Sequence, residues 1–228
     1  QQVRPTTMLT VPLIMEKVYF GKVAPTFHKN KVVAFLYGTP LFRRLLNRIA
    51  GKKIYKAFGG RLRFFGVGGA KLNQTVEQFL LDAKFPYAIG YGLTETSPLL
   101  AGTKVGSCRL GSTGPVMQGV TLKINNPDPV TGEGEIWARG DNVMKGYYRE
   151  PSMTADVLTP DGWFRTGDLG VIDRHNYLSI KGRLKNMIVG SSGENIYPEE
   201  IESVINDFGH VIESLVVQKK GKLVAMVH

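Results

Sequence analysis

Cysteine is almost missing from this chain: Cys108 stands alone among 228 residues, so neither an internal disulfide nor a cysteine-based metal site can form, a usage that suits a reducing compartment. Histidine is nearly as sparse. His28, His175, His210 and His228 are scattered without the spacing of metal ligands and read as structural or solvent-facing. No run of about 18 apolar residues is present and no secretory signal opens the chain, which argues against a membrane span and for a cytoplasmic protein. Repeats and low-complexity linkers are also wanting, and the first residue is Gln1, in mid-pattern, as expected for a piece of a longer protein. What is present, 43% hydrophobic and 21% charged residues, is the composition of a globular chain large enough for one big domain or two small ones.

Acidic residues are scarce at one end only. Up to Phe65 thirteen Lys and Arg face the single acid Glu16, whereas the remainder carries 16 basic against 18 acidic residues, so the net charge of +10 belongs to the first third. The stretch FRRLLNRIAGKKIYKAFGGRLRFF, Phe42 to Phe65, is open to three readings: a basic amphipathic helix on a membrane surface, a nucleic-acid patch, or a solvated face. Leu45, Leu46, Ile49, Ile54 and Phe58 recur at helical spacing, which favours an apolar side against the core and a wet basic side. Nucleic acid is not expected as a partner; peripheral membrane contact through this basic third stays a candidate.

In chain order, Met8 to Val11 reads as a buried strand and Pro12 as the first residue of a helix, where its missing N–H does no harm. A second strand, Leu62 to Val67, ends in Gly68 and Gly69 before a helix carrying Leu72, Val76, Phe79 and Leu80 on one face. A glycine turn at a strand end is where open α/β sheets bind ligands, and it is equally where a strand simply packs on a helix. GVGGAK is no standard nucleotide fingerprint, because the last glycine of G-x-G-x-x-G is missing and no Gly-Lys-Ser/Thr follows. From Gly111 the chain turns to short β-prone runs punctuated by Gly, Pro, Asn and Asp, the pattern of an antiparallel barrel or folded sheet. After Asn186 it reads strand (Met187 to Val189), glycine loop (Gly190 to Asn195), helix (Pro198 to Phe208) and a hairpin from Ser214 to Val227 turned at Lys219 to Lys222. The fold class expected is therefore α/β (mixed α+β). Its parts are an α/β portion over 1–110, a β-rich subdomain over 111–184, and the start of a small α+β lobe over 185–228.

The stretch FPYAIGYGLTETSPLL, Phe85 to Leu100, organises the rest. A β-prone run, Tyr87 to Ile89, breaks at Gly90 and Gly92 and delivers a ring (Tyr91), a hydroxyl (Thr94) and a carboxylate (Glu95) within a few residues. Such a set can stack on a base, bond a phosphate oxygen and hold a magnesium ion.

Four motifs, YGLTETS (Tyr91 to Ser97), GEIWARGDNVMKGYY (Gly134 to Tyr148), GWFRTGDLG (Gly162 to Gly170) and KGRLKNMIVGSSGENIYPEEIE (Lys181 to Glu202), occur in the order and spacing of adenylate-forming enzymes. The sequence resembles acyl-CoA synthetases of that superfamily, and among them bacterial long-chain fatty acid CoA ligases. The resemblance runs from about Arg4 to the end, with Phe20 to Gly60 unspecific. It implies a partial large lobe followed by a mobile C-terminal lobe, with fatty acid, ATP and coenzyme A as substrates and Mg²⁺ as the cofactor. It further implies that Tyr91 stacks on adenine with Gly68, Gly69 and Ala70 lining the base pocket, that Thr94 bonds the α-phosphate, and that Glu95 holds the metal. Asp168 and Arg183 would meet the ribose, Lys185 would be the hinge, and Ser191, Ser192 and Gly193 would face coenzyme A. Gly92 would leave the acyl pocket open where acetate-activating relatives have a tryptophan. Two departures limit this: neither the phosphate loop of the kind TSGTTGxPKG nor the lysine of the distal C-terminal lobe is among these residues, so the piece by itself is expected to be inactive. The alternatives are an aryl or amino acid activating enzyme, and a non-catalytic module that binds nucleotide or acyl adenylate.

Overall fold

A computed structural model describes residues 3–29, 31–190, 193–208 and 211–228. The chain divides into two compact units, one of Gln1–Gly92 with Ala101–Pro115, the other of Leu93–Leu100 with Val116–His228.

In the first unit β1 (Thr7–Thr10), β2 (Phe64–Val67) and β3 (Tyr87–Gly92) are parallel neighbours; β4 (Leu99–Gly102), of which Ala101 and Gly102 fall in this unit, is next in order, and the two-residue β5 (Gly114–Pro115) is not part of that sheet. Parallel strands need long crossovers, and helices supply them. Between β1 and β2 run α1 (Pro12–Val18), a π-helical turn (Tyr19–Val23), α2 (Ala24–His28), α3 (Lys31–Tyr37) and α4 (Pro40–Ala57); α5 (Gln74–Ala83) joins β2 to β3. Pro12 starts α1 as the sequence predicts. The core gathers Met15, Tyr19, Phe65, Val76, Phe79, Leu80 and Phe85, all nearly or fully buried, and Phe65 and Phe85 meet edge to face at 5.4 Å.

Leu72 is buried but precedes the helix it was expected to share. Helix α5 begins two residues later because the Asn73 side chain accepts from the Thr75 and Val76 amides at 2.9 and 3.2 Å, capping the helix at that point. A larger correction concerns α4. Ile54 is buried and Leu46 partly so, but Leu45 and Ile49 are 53% and 49% exposed, and it is polar side chains that turn inward. Asp82 on α5, itself buried, accepts from Arg43 Nε at 3.1 Å, Asn47 Nδ2 at 3.1 Å and Gln78 Nε2 at 2.9 Å. A buried carboxylate needs such partners, so the helix rotates to supply them at the expense of two apolar contacts. Cys108 is half-buried; its thiol lies 3.1 Å from Thr103 Oγ1, and burial pushes its pKa up.

In the second unit β6 (Val120–Asn125), β7 (Gly134–Gly140), β8 (Phe164–Ile172) and β9 (Tyr177–Arg183) form antiparallel pairs in sequence order, with α6 (Pro151–Val157) between β7 and β8. Ile136, Ala138, Phe164, Leu169 and Leu178 are buried along it. The expectation of a folded antiparallel sheet after Gly111 holds. Beyond β9 a 3-10 turn, Leu184–Asn186, leads to the short antiparallel pair β10 (Ile188–Val189) and β11 (Asn195–Ile196), then α7 (Pro198–Ile205) and the hairpin β12 (Ser214–Lys219) and β13 (Lys222–Val227). Asn195, expected in the glycine loop, is thus the start of a strand, and α7 ends three residues before Phe208. The last hairpin turns where the sequence placed it.

Candidate active site

The residues named from sequence fall in both units, and each group has its own construction. In the first unit Gly68, Gly69 and Ala70 follow the carboxyl end of β2, while Tyr91 and Gly92 close the carboxyl end of the adjacent strand β3. Strand ends of this kind are the ligand-binding edge of open parallel sheets. Gly68 donates its amide to Thr10 O at 3.2 Å, and a Cβ built on it would stand 3.2 Å from Gly90 O. Gly69 has φ +88°, a backbone that side chains other than glycine's rarely adopt. The result is exposed backbone with little side chain over it, and Tyr91 half-buried beside it.

In the second unit the turn Thr94–Thr96 is a 3-10 helix whose three side chains have different fates. Thr96 is fully buried: its hydroxyl accepts from Leu93 N at 3.0 Å and lies in donor range of the carbonyls of Leu93 and Pro98. Thr94 is exposed and its hydroxyl makes no hydrogen bond among the described residues. Glu95 is held from the loop after β7. Met144 N donates to Glu95 O at 2.7 Å, Asn142 Nδ2 to Thr96 O at 2.7 Å and to Leu99 O at 3.3 Å, and the Tyr147 hydroxyl to Glu95 Oε1 at 3.0 Å. Burial, and then the carboxylate it serves, push the Tyr147 phenol up, so it remains a donor at neutral pH.

Gly146 lets this loop pass close to α6, since a Cβ there would come within 2.8 Å of Thr154 Cγ2. Tyr147 N is bound by Thr154 Oγ1 at 2.9 Å. Spacing alone did not single out Tyr147, Asn142 or Thr96. The available signal was that the first two lie in GEIWARGDNVMKGYY, one of the four matched motifs.

Asp168 on β8 and Arg183 on β9 are cross-strand partners, and Arg183 Nε meets Asp168 Oδ1 at 2.9 Å. Asp168 is buried while Arg183 is half-exposed, so the guanidinium covers and orients the carboxylate from the solvent side. Lys185 is exposed on the 3-10 turn that follows β9. Either side of it, Glu133 accepts from Lys181 Nζ at 2.8 Å and from the Tyr197 hydroxyl at 2.8 Å. Gly193 occupies a turn at φ +87°, and Ser191 and Ser192 lie outside the described residues. Among the described residues no cluster of three or more His, Cys, Asp or Glu could hold a metal ion by itself.

The family model of AMP-binding enzymes matches residues 1–148. Among curated relatives, "Long-chain-fatty-acid--CoA ligase 1" of Saccharomyces cerevisiae is 32% identical over 97% of this chain and 34% of its own length. The chloroplastic "Long-chain-fatty-acid--[acyl-carrier-protein] ligase AEE15" of Arabidopsis thaliana is 37% identical over 93% of this chain and 33% of its own. Among solved structures, ATP-bound MatB from Rhodopseudomonas palustris superimposes with a TM-score of 0.71 at 29% identity, covering 98% of this chain and 41% of that one. The o-succinylbenzoate coenzyme A synthetase MenE of Bacillus subtilis, in complex with ATP and magnesium ion, gives 0.72 at 25% identity over 98% and 42%. The chain spans about a third of the length of the curated relatives it matches. With the matched residues taking in more than half of its length and all of the Thr94–Thr96 turn, this chain belongs to the family of AMP-binding enzymes.

Proposed function

We propose that the chain is part of an ATP-dependent acid–thiol ligase that activates a long-chain fatty acid. A carboxylate oxygen of the acid attacks the α-phosphorus of ATP and pyrophosphate leaves; the thiol of coenzyme A then attacks the acyl carbonyl, loses its proton, and AMP leaves. The observation that carries this reading is the Thr94–Thr96 turn, where one threonine is sunk as an anchor while the neighbouring Thr94 hydroxyl and one oxygen of the Glu95 carboxylate make no hydrogen bond among the described residues. The names of the yeast and Arabidopsis relatives support the long-chain acid, and the Arabidopsis name adds the thiol of an acyl-carrier protein as a second acceptor to assay.

The donor set suits Mg²⁺, a hard cation that keeps most of its waters and takes one or two carboxylates besides phosphate oxygens. Glu95 would be the protein's ligand through Oε2, since Oε1 is already engaged by Tyr147. When bound, the ion would neutralise charge on the departing pyrophosphate. Thr94 would donate to the α-phosphate, Tyr91 would stack on adenine beside the bare backbone of Gly68, Gly69 and Ala70, and Asp168, oriented by Arg183, would accept from the ribose hydroxyls. Lys185 would be the hinge of the C-terminal lobe, and the loop through Gly193 would face coenzyme A.

Fatty-acid-dependent exchange of pyrophosphate into ATP by the full-length enzyme tests this, with Glu95→Gln alongside. Exchange should be present and should fall by more than about tenfold, the equivalent of 1.36 kcal/mol, in the variant. Exchange within about twofold of wild type would remove Glu95 from the reaction.

Peripheral membrane contact is the second part of the reading. Phe35, Leu41, Leu45 and Ile49 are 77%, 77%, 53% and 49% exposed on α3 and α4, and Arg44, Arg48 and Lys52 are exposed on α4 as well. Apolar side chains flanked by cations suit an anionic bilayer surface, and no described helix is long and apolar enough to cross one. Sedimentation of the full-length enzyme with phosphatidylserine vesicles should be lost in Phe35→Ser/Leu45→Ser; equal sedimentation of both proteins would overturn this part.

A further inference from the structure

We infer that Tyr147 is a positioning residue for the metal ligand Glu95, fixing one carboxylate oxygen so that the other is presented to the cation. The inference rests on the reading that Glu95 binds Mg²⁺, and it goes beyond it by assigning a role to a residue outside the proposed ligand set.

A glutamate has three side-chain torsions, and a carboxylate left to itself would spread its charge over many positions around the turn. Here the turn is first pinned by backbone: Met144 N to Glu95 O at 2.7 Å and Asn142 Nδ2 to Thr96 O at 2.7 Å. Only then does Tyr147 reach Oε1 at 3.0 Å. Its reach is itself fixed, because Tyr147 N is held by Thr154 Oγ1 at 2.9 Å and Gly146, at φ +145°, allows the loop to lie against Thr154. A neutral phenol brings a donor and no charge, so Glu95 keeps its full negative charge for a cation while losing freedom of orientation. Among the described residues no hydrogen bond reaches Oε2.

The neighbouring Tyr148 provides a built-in contrast. It is 82% exposed, and its ring meets Arg149 at 5.1 Å instead of the Thr94–Thr96 turn. Two adjacent tyrosines therefore have separate fates, and only one can act on Glu95.

The test is the Mg²⁺ concentration at which ATP binding to the full-length enzyme reaches half its maximum, followed by calorimetry without acid or thiol present, so that no turnover is needed. Removing a group that orients a metal ligand commonly costs 10- to 100-fold in metal affinity, so Tyr147→Phe should raise this concentration by about tenfold or more, with metal-free ATP affinity and melting temperature little changed. Tyr148→Phe should leave it unmoved. Adding Tyr147→Phe to Glu95→Gln should have no further effect, because the tyrosine acts only through the carboxylate. If Glu95→Gln shifts the requirement and Tyr147→Phe does not, the positioning role falls and the metal site stands; if Glu95→Gln itself shifts nothing, the reading of the site falls first. A melting temperature lowered by Tyr147→Phe with the metal requirement intact would make Tyr147 a plain loop anchor and overturn the inference.

Discussion

Tyr197 donates its hydroxyl to Glu133 Oε2 at 2.8 Å, and the same carboxylate takes Lys181 Nζ at 2.8 Å on Oε1. The two donors lie on either side of Lys185, so one carboxylate ties the segment before the proposed hinge to the segment after it. A hydrogen bond to a charged group is worth about 1.5 kcal/mol or more, which corresponds to a factor of roughly ten in a two-state balance. In the full-length enzyme Tyr197→Phe should therefore change the ratio of the two half-reactions, adenylation by pyrophosphate exchange and thioester formation from supplied acyl adenylate, by about fivefold or more. Equal effects on both would mean that the bond does not distinguish orientations of the lobe.

The same carboxylate should report on pH. Burial alone would raise the Glu133 pKa, but Lys181 and the Tyr197 hydroxyl outweigh it and hold the group below its ordinary range. A lowered folded-state pKa gives stability that is present above the unfolded value and lost as pH falls through the folded one. Lys181→Met should thus melt below wild type near about pH 7, and the difference should narrow as pH falls through the lowered folded-state pKa and the carboxylate takes up its proton. A difference that persists unchanged in acid would assign it to lost packing of the lysine stem.

Asn73 is the cap on which α5 depends. Asn73→Ala removes the acceptor for two amides and should cost about 1 kcal/mol, a fall of about 4–8 °C in the melting temperature of a unit of roughly a hundred residues, with Asn73→Ser recovering most of it. Melting curves of the three proteins decide; an unchanged Ala variant would mean that the helix start is set by packing.

Gly92 is proposed to leave the acyl pocket open. Each methylene buried against an apolar wall contributes about 0.8 kcal/mol, so an open pocket can select a long chain strongly. Gly92→Trp in the full-length enzyme should abolish use of palmitate and spare propionate, the indole acting as a plug. Competing assays with the two acids check it, and a retained long-chain preference would show that the chain does not pass Gly92.

Much of this was legible in local chemistry. Pro12 opens a helix at the position where its missing N–H does no harm, Val76, Phe79 and Leu80 share one helical face, and Lys219 to Lys222 turn a hairpin because the flanking runs are β-prone on both sides. What was not legible depends on partners distant in the chain. Nothing near Arg43 or Asn47 announces that Asp82, 35 or more residues on, will draw them inward and leave Leu45 and Ile49 in solvent. Likewise Thr94 and Thr96 look alike in the sequence. Only the carbonyls of Leu93 and Pro98, brought together by the turn, make the second an anchor, and only the loop 52 residues later shows which tyrosine serves Glu95.

The setting of Cys108 bears on how the proposed hinge can be watched. With burial pushing its thiol pKa up and Thr103 beside it, this cysteine should react slowly with maleimides at neutral pH. The chain is thus its own low-background host for site-directed labelling. A cysteine placed at exposed Lys185 can carry a fluorophore or spin label while Cys108 is left in place, so the proposed motion about this residue can be tested by spectroscopy without first disturbing the packing around Tyr87.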